Sequence, residues 1–279
     1  KLYLEELPVW DGVDRLAALA RRVSRDQLWV KEFHIWMRGM TAQWMGVTGS
    51  HANSVAPLLI STEQGYLKST FCKSLLPPAL QRYYMDKVDL TSQGHIERRL
   101  AEMGLLNLDE FDKYAPTKMP LLKNLMQMAS LSLCKAYQKN YRSLPRIASF
   151  IGTSNRKDLL TDPTGSRRFI CVLVEYPIDC EGIDYAQLYA QLKAEILAGA
   201  HYWFTKEEET ELQQSNMTFY RQGPVEDVLR SCSRAAEKGE GCELLSSADI
   251  FQRLKKINPA ALLGANPASF DKILLSVGI

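Results

Sequence analysis

The sequence predicts an α/β fold: a parallel sheet flanked by helices, with a helical region before it and a small helical region after it. Two observations carry this. Short apolar runs at residues 55–61, 105–108, 147–154 and 169–174 alternate with segments of helical apolar spacing. The first three runs each end in polar residues, as strands do when a ligand sits beyond the carboxyl edge of a parallel sheet.

The 279 residues suffice for one large domain, or a main domain with a small one, and 46% hydrophobic with 24% charged residues is ordinary for a globular chain. A net charge of +2 implies no polyanionic partner, so any nucleic-acid contact must come from local patches. Six cysteines without a C-x-x-C pair read as reduced core thiols of a cytoplasmic protein. No apolar run is long enough to cross a bilayer and no signal peptide is evident. The missing initiator methionine suggests an excised fragment.

In order, residues 1–46 read as helical, broken at Asp11-Gly12, with Leu16, Leu19, Ala20, Val23 and then Trp29, Phe33, Trp36, Met37, Met40 and Trp44 at helical spacing. These aromatics read as core. Residues 55–61 form a strand and 69–76 a helix, stopped by Pro77-Pro78. Residues 83–90 are expected as a strand and 91–103 as a helix capped by Thr91 or Ser92, with Gly104 as its stop. After the strand at 105–108, residues 120–133 are expected as a Leu/Met-rich helix. Lys135, Lys139, Arg142 and Arg146 then cluster with Tyr137 and Tyr141, which fits a DNA-contacting loop, a subunit contact or an ordinary solvated face. Helices follow the last strand at 183–197 and 206–214. Residues 234–241 read as a hydrophilic linker, and helices at 248–257 and 269–277 suggest a helix-turn-helix, a truncated winged helix or a packed helical tail. The organisation is thus 1–46 helical, 47–230 core, 231–245 linker and 246–279 small helical region.

The chemistry gathers at the strand ends. Strand 55–61 delivers a tight loop onto Lys68-Ser69-Thr70 at a helix start, where the first N–H groups lack internal partners. Lys68 supplies a point charge for β- and γ-phosphates, and Ser69 a hydroxyl for Mg²⁺. The loop departs from G-x-x-x-x-G-K-[ST]: Thr62 and Leu67 stand at the glycine positions, and Gly65 is its only glycine. Leu67 is the harder departure, since glycine there lets backbone approach phosphate. Leu108-Asp109-Glu110 ends a strand in two carboxylates, one to orient Mg²⁺ and one to polarise water. Asn155 ends another strand and can hold the attacking water or the γ-phosphate. Arg167-Arg168 can clamp an anion or act as a finger toward a neighbouring subunit. A structural ion pair to Asp158 or Asp162 is the alternative.

These stretches resemble the virulence-associated E family of P-loop proteins, itself similar to the helicase half of primase–helicases and near superfamily 3 helicases and AAA+ ATPases. The resemblance rests on Leu7-Pro8-Val9-Trp10-Asp11-Gly12, Gln64 to Phe71, Asn107-Leu108-Asp109-Glu110-Phe111-Asp112, Phe150-Ile151-Gly152-Thr153-Ser154-Asn155, and Asp162 to Phe169. It covers roughly residues 1–230. It implies a P-loop NTPase core with a phosphate loop formed by Thr62, Glu63, Gln64, Gly65, Tyr66, Leu67, Lys68, Ser69 and Thr70. It makes Asp109 and Glu110 the Walker B pair, Asn155 the sensor and Arg167 or Arg168 the finger, with ATP and Mg²⁺ as cofactors. It also implies a ring-forming helicase or replication motor of a mobile element or phage, acting on single-stranded or forked DNA. The rival reading is a nucleotide- or DNA-binding scaffold that does not hydrolyse, which Leu67 favours; a small-molecule kinase is a third.

Overall fold

The computed structural model describes residues 2–49, 51–91, 93–134, 141–160, 163–220, 224–234, 243–262, 270–271 and 273–274. The chain divides into two compact units, Lys1–Tyr220 and Arg221–Ile279.

The first unit opens with helices α1 (Leu2–Glu5), α2 (Arg15–Arg21) and α3 (Gln27–Met45). Asp14 and Asp26 cap α2 and α3 by accepting from Ala17 N and Leu28 N, and Gly46 ends α3 at φ 77°. Strand β1 (Ala56–Ile60) leads through a loop to α4 (Lys68–Ser74). Strand β2 (Tyr84–Met85), helix α5 (Gln93–Glu102) and strand β3 (Leu105–Leu108) follow. Next come α6 (Met119–Gln127), β4 (Ser130–Cys134), β5 (Tyr141–Pro145), β6 (Ser149–Ser154), β7 (Phe169–Leu173), α7 (Tyr185–Leu197) and α8 (Lys206–Ser215).

Among the described residues the main sheet has five strands, all parallel, in the order β2-β3-β6-β1-β7. The register sets Ile60 beside Ser154 and Leu108 beside Gly152. The carboxyl ends of β1, β6 and β3 therefore lie side by side. Gly152 makes this fit possible: a Cβ there would stand 2.7 Å from Leu58 Cδ2 and 3.0 Å from Leu108 O.

Side chains alternate between two buried faces, as a strand covered on both sides requires. Leu59, Leu105, Ile151, Ile170 and Val172 meet Phe33, Trp36, Met37 and Met40 of α3, Phe71 of α4, and Tyr189 and Leu192 of α7. Leu58, Ile60, Leu106, Leu108 and Phe150 meet Ile96 and Leu100 of α5, Leu122 and Met126 of α6, Phe111 and Phe219. The N-terminal segment is tied to α7: Gln187 accepts from Asp11 N and donates to Val9 O, while Gln191 accepts from Arg15 N.

Three expectations are corrected here. The strand expected at 83–90 is only Tyr84–Met85: Tyr83 closes a 3₁₀ turn, and pairing with β3 stops at Met85↔Leu106, so residues 86–90 run on without a strand partner. The helix expected to run to residue 133 ends at Gln127, and β4 and β5 pair as an antiparallel hairpin. Arg146, grouped with the basic surface cluster, is fully buried. Its guanidinium donates to Leu125 O, Met126 O, Asn53 O and Gln43 Oε1, closing the carboxyl end of α6 against α3 and the approach to β1. Lys135, Lys139 and Tyr137 lie outside the described residues, and Arg142 is described in its backbone alone, within β5.

The second unit holds α9 (Pro224–Cys232) and α10 (Ser247–Ile257), the latter capped reciprocally by Ser246 and Asp249. Its core contains Val225, Leu229, Phe251, Leu254, Leu262, Phe270 and Leu274.

Candidate functional site at the carboxyl ends of three strands

Lys68 is the pivot. The residue is 8% exposed, and its ammonium donates to Asn155 Oδ1 at 3.0 Å, Ser61 O at 3.3 Å and Glu63 O at 3.4 Å. Burial pushes its pKa below the usual lysine range, against the opposing pull of Asp109 and Asp112. The lysine therefore joins the ends of β1 and β6.

The next residue joins β1 to β3. Ser69 Oγ donates to Asp109 Oδ1 at 2.9 Å, and Thr153 Oγ1 donates to the same oxygen at 2.6 Å. Thr153 Oγ1 in turn accepts from Glu110 N at 3.3 Å, so one hydroxyl sets both carboxylate residues against β6. Asp112, from the 3₁₀ turn Phe111–Lys113, accepts from Ser154 Oγ at 2.9 Å and Asn155 N at 3.3 Å. Glu110 sits in the left-handed region at φ 51°, and its carboxylate is ion-paired with Lys113.

The loop itself is open to solvent. Thr62, Glu63, Gln64, Gly65 and Leu67 are exposed, as are Ser69 and Thr70 at the helix start, while Tyr66 is half-buried against the α3–α4 face. Tyr66 O accepts from Ile178 N at 3.2 Å, which anchors the loop to the chain after β7. Gly65 has φ 81° and Leu67 has φ 59°, ψ 24°. Leu67 thus adopts the left-handed conformation that glycine takes at little cost, and its side chain stays 47% exposed. The sequence anomaly marks a real backbone demand.

Arg167 and Arg168 are not brought to this cluster. They end the 3₁₀ segment Pro163–Arg168, immediately before Phe169, which pairs with Ala56 at the amino end of β1. Four residues of strand separate them from the Lys68 edge, on the order of 13 Å. Arg167 pairs with Glu209 at 3.2 Å. Sequence reasoning named Lys68, Ser69, Asp109, Glu110 and Asn155 but missed Thr153, Asp112 and Lys113. Thr153 and Asp112 stood beside named residues, and only the strand order reveals that they bridge.

Fold and site together define an α/β protein whose parallel sheet gathers a buried lysine, two hydroxyls, carboxylates and an amide at adjacent strand ends. Residues 4–221 match the model of the virulence-associated protein E-like domain, and the chain belongs to that family. Residues 222–279 match a second model, described as a domain of unknown function from a B. Theta gene. Among solved structures, the apo structure of the NrS-1 C terminal region (305–718) is similar in fold at TM-score 0.50 and 15% identity, covering 82% of this chain and 57% of that one. A second form of that region gives TM-score 0.48 at 15% identity, covering 82% and 56% respectively. This chain thus spans little more than half the length of the structures it resembles. No curated protein matches the sequence. Among the described residues, no helix is long and apolar enough to cross a membrane.

Proposed function

We propose that this chain is a P-loop ATPase of the helicase class, binding ATP with Mg²⁺ and using hydrolysis to move or open DNA in mobile-element or phage replication. The observation that carries the reading is the bridging of three strand ends by Lys68–Asn155 and Ser69–Asp109–Thr153. A triphosphate lying over those ends would meet a cation, a hydroxyl and an amide at once.

The donor set fits magnesium. A serine hydroxyl and a carboxylate oxygen are hard ligands, and Asp109 Oδ1 gathers the two hydroxyls at hydrogen-bond distance. When bound, Mg²⁺ would neutralise charge on the β- and γ-phosphates. Lys68 would exchange its carbonyl and Asn155 partners for γ-phosphate oxygens. Asn155, released, would orient the attacking water. Glu110 would take that water's proton after leaving Lys113. Arg167 and Arg168 lie too far along β7 to reach this site within the chain, so either would act on a neighbour's nucleotide in a ring. Lys135, Lys139 and Arg142 are the proposed DNA contacts.

A second reading, a scaffold that binds without hydrolysing, is favoured by the bulky Leu67 side chain on the loop and by the Glu110–Lys113 pair. Steady-state ATP turnover, with and without single-stranded DNA, separates the two. The motor reading expects turnover that Glu110→Gln abolishes while binding of an ATP analogue is retained. No turnover in the wild-type chain, together with tight DNA binding, would favour the scaffold, and absence of both nucleotide and DNA binding would remove both readings.

A further inference from the structure

A cavity of about 250 Å³ lies beside β7, on the far side of that strand from β1. It has room for about eight waters or one small organic molecule. Its walls come from the start of α3, from Cys171 to Glu175, and from the turn after α8. None of the twelve residues lining it is basic, and three of them, Asp26, Glu32 and Glu175, carry carboxyl groups.

Glu32 is the unexplained group. It is 4% exposed, and its Oε1 is buried with no hydrogen-bond partner. A buried carboxyl oxygen without a donor costs about 1–3 kcal/mol, so natural chains rarely leave one. Burial pushes the carboxyl pKa up to about 8; Glu211, Asp26 and Glu208 add to the rise and Lys31 opposes it. The acidic groups around Glu32 are therefore Asp26, which caps its helix, and Glu208 and Glu211 of α8. Lys31 is held elsewhere, at 2.7 Å from Glu211 and 3.9 Å from Glu208.

The open edge of β7 adds acceptors. Val174 N donates inward to Ile60 O, whereas Cys171 N and Phe169 O meet the Asn216 side chain on the outer edge. By the period of two, Leu173 turns its N–H and C=O outward like Cys171. Trp29 and Phe219 supply flat apolar walls.

We infer that this cavity is a binding site for a small organic cation bearing a guanidinium or primary ammonium group, held by the Glu32 carboxylate with Asp26 and the β7 edge. An N–H-rich cation supplies the donor that Glu32 lacks, and the aromatic walls suit its planar or alkyl part. Binding draws the carboxyl into its ionised form and releases its proton to solvent. Phosphates and carboxylates are excluded by like charge. The site is independent of the nucleotide reading, since β7 separates it from the Lys68 cluster.

Calorimetric titration of the full chain with agmatine tests this. The expected result is saturable one-site binding, weakened roughly tenfold or more by Glu32→Gln and lost on filling the cavity with Ser215→Leu. Asp109→Asn should leave it unchanged, which excludes binding at the strand-end carboxylates. Inorganic phosphate should not displace bound agmatine, and competition by phosphate would contradict a cavity lined by carboxyl groups. No saturation in the wild-type chain, or equal affinity in Glu32→Gln, overturns the assignment. Thermal unfolding of each variant confirms that it is folded; loss of binding in a folded Glu32→Gln chain then speaks for the carboxylate itself.

Discussion

Replacing Leu67 tests whether the loop is shaped by a glycine-like backbone demand. Leu67 stands at φ 59°, ψ 24°, where a residue with a Cβ is strained by about 1–2 kcal/mol. Glycine removes that strain but gives the unfolded chain more freedom, at a cost of about 0.5–1 kcal/mol. The side chain is 47% exposed, so truncation forfeits about 1 kcal/mol of burial. The comparison that isolates the backbone is Leu67→Gly against Leu67→Ala, because both lose the same packing. Glycine should be the more stable by about 0.5–1 kcal/mol, where inside an ordinary helix it is the less stable by a similar amount. Urea denaturation followed by tryptophan fluorescence reads the difference, since Trp29 and Trp36 report on the first unit. Under the proposed function, Leu67→Gly also binds an ATP analogue more tightly than the wild-type chain, because the loop no longer presents a bulky exposed side chain. If the alanine variant matches or exceeds the glycine variant in stability, the backbone argument fails. If affinity is unchanged, Leu67 does not restrict the loop.

Two further outcomes follow from buried groups. Arg146→Met strips the donors from Leu125 O, Met126 O, Asn53 O and Gln43 Oε1, and should lower unfolding free energy by about 3–5 kcal/mol in urea, with Arg146→Lys failing to restore it because an ammonium cannot span the fork; a loss under about 1 kcal/mol would show that water replaces the guanidinium. For Glu32, whose pKa is raised from 4.5 to about 8, the native chain holds a proton that the unfolded chain releases, so stability falls as pH rises through that window. Glu32→Gln should match wild type near pH 4 and exceed it by about 3 kcal/mol at pH 7; parallel pH–stability curves for the two chains would contradict the assigned burial.

Much of this arrangement was readable in the residues, and the rest was hidden for identifiable reasons. Apolar runs ending in Ser61, Asp109 and Asn155 marked the strands, because a strand covered on both faces is built largely from apolar residues, with polar ones such as Asn107 and Thr153 the exception. The strand order was not readable from local pattern. Only pairing shows β6 inserted between β1 and β3, which turns Thr153 from a strand residue into the bridge between Asp109 and Glu110. The hairpin β4–β5 was lost because Leu121 to Leu133 contains enough Leu and Met to satisfy a helical period. The alternation of Leu131 and Leu133 with Ser130 and Ser132 was the competing signal. Arg146 misled because charge ordinarily means surface, and nothing local shows that four carbonyl groups await it. Leu67 was flagged for its missing glycine, and the backbone there confirms why the position is unusual.

The central claim is that the ends of β1, β6 and β3 form one triphosphate site. A crystal of the chain grown with a non-hydrolysable ATP analogue and Mg²⁺ tests it most directly. The account predicts the terminal phosphate within hydrogen-bond reach of Lys68 Nζ and Asn155, and the metal bound by Ser69 and Asp109. An analogue seated elsewhere, with Lys68 still on Asn155 and Ser69 still on Asp109, would contradict it.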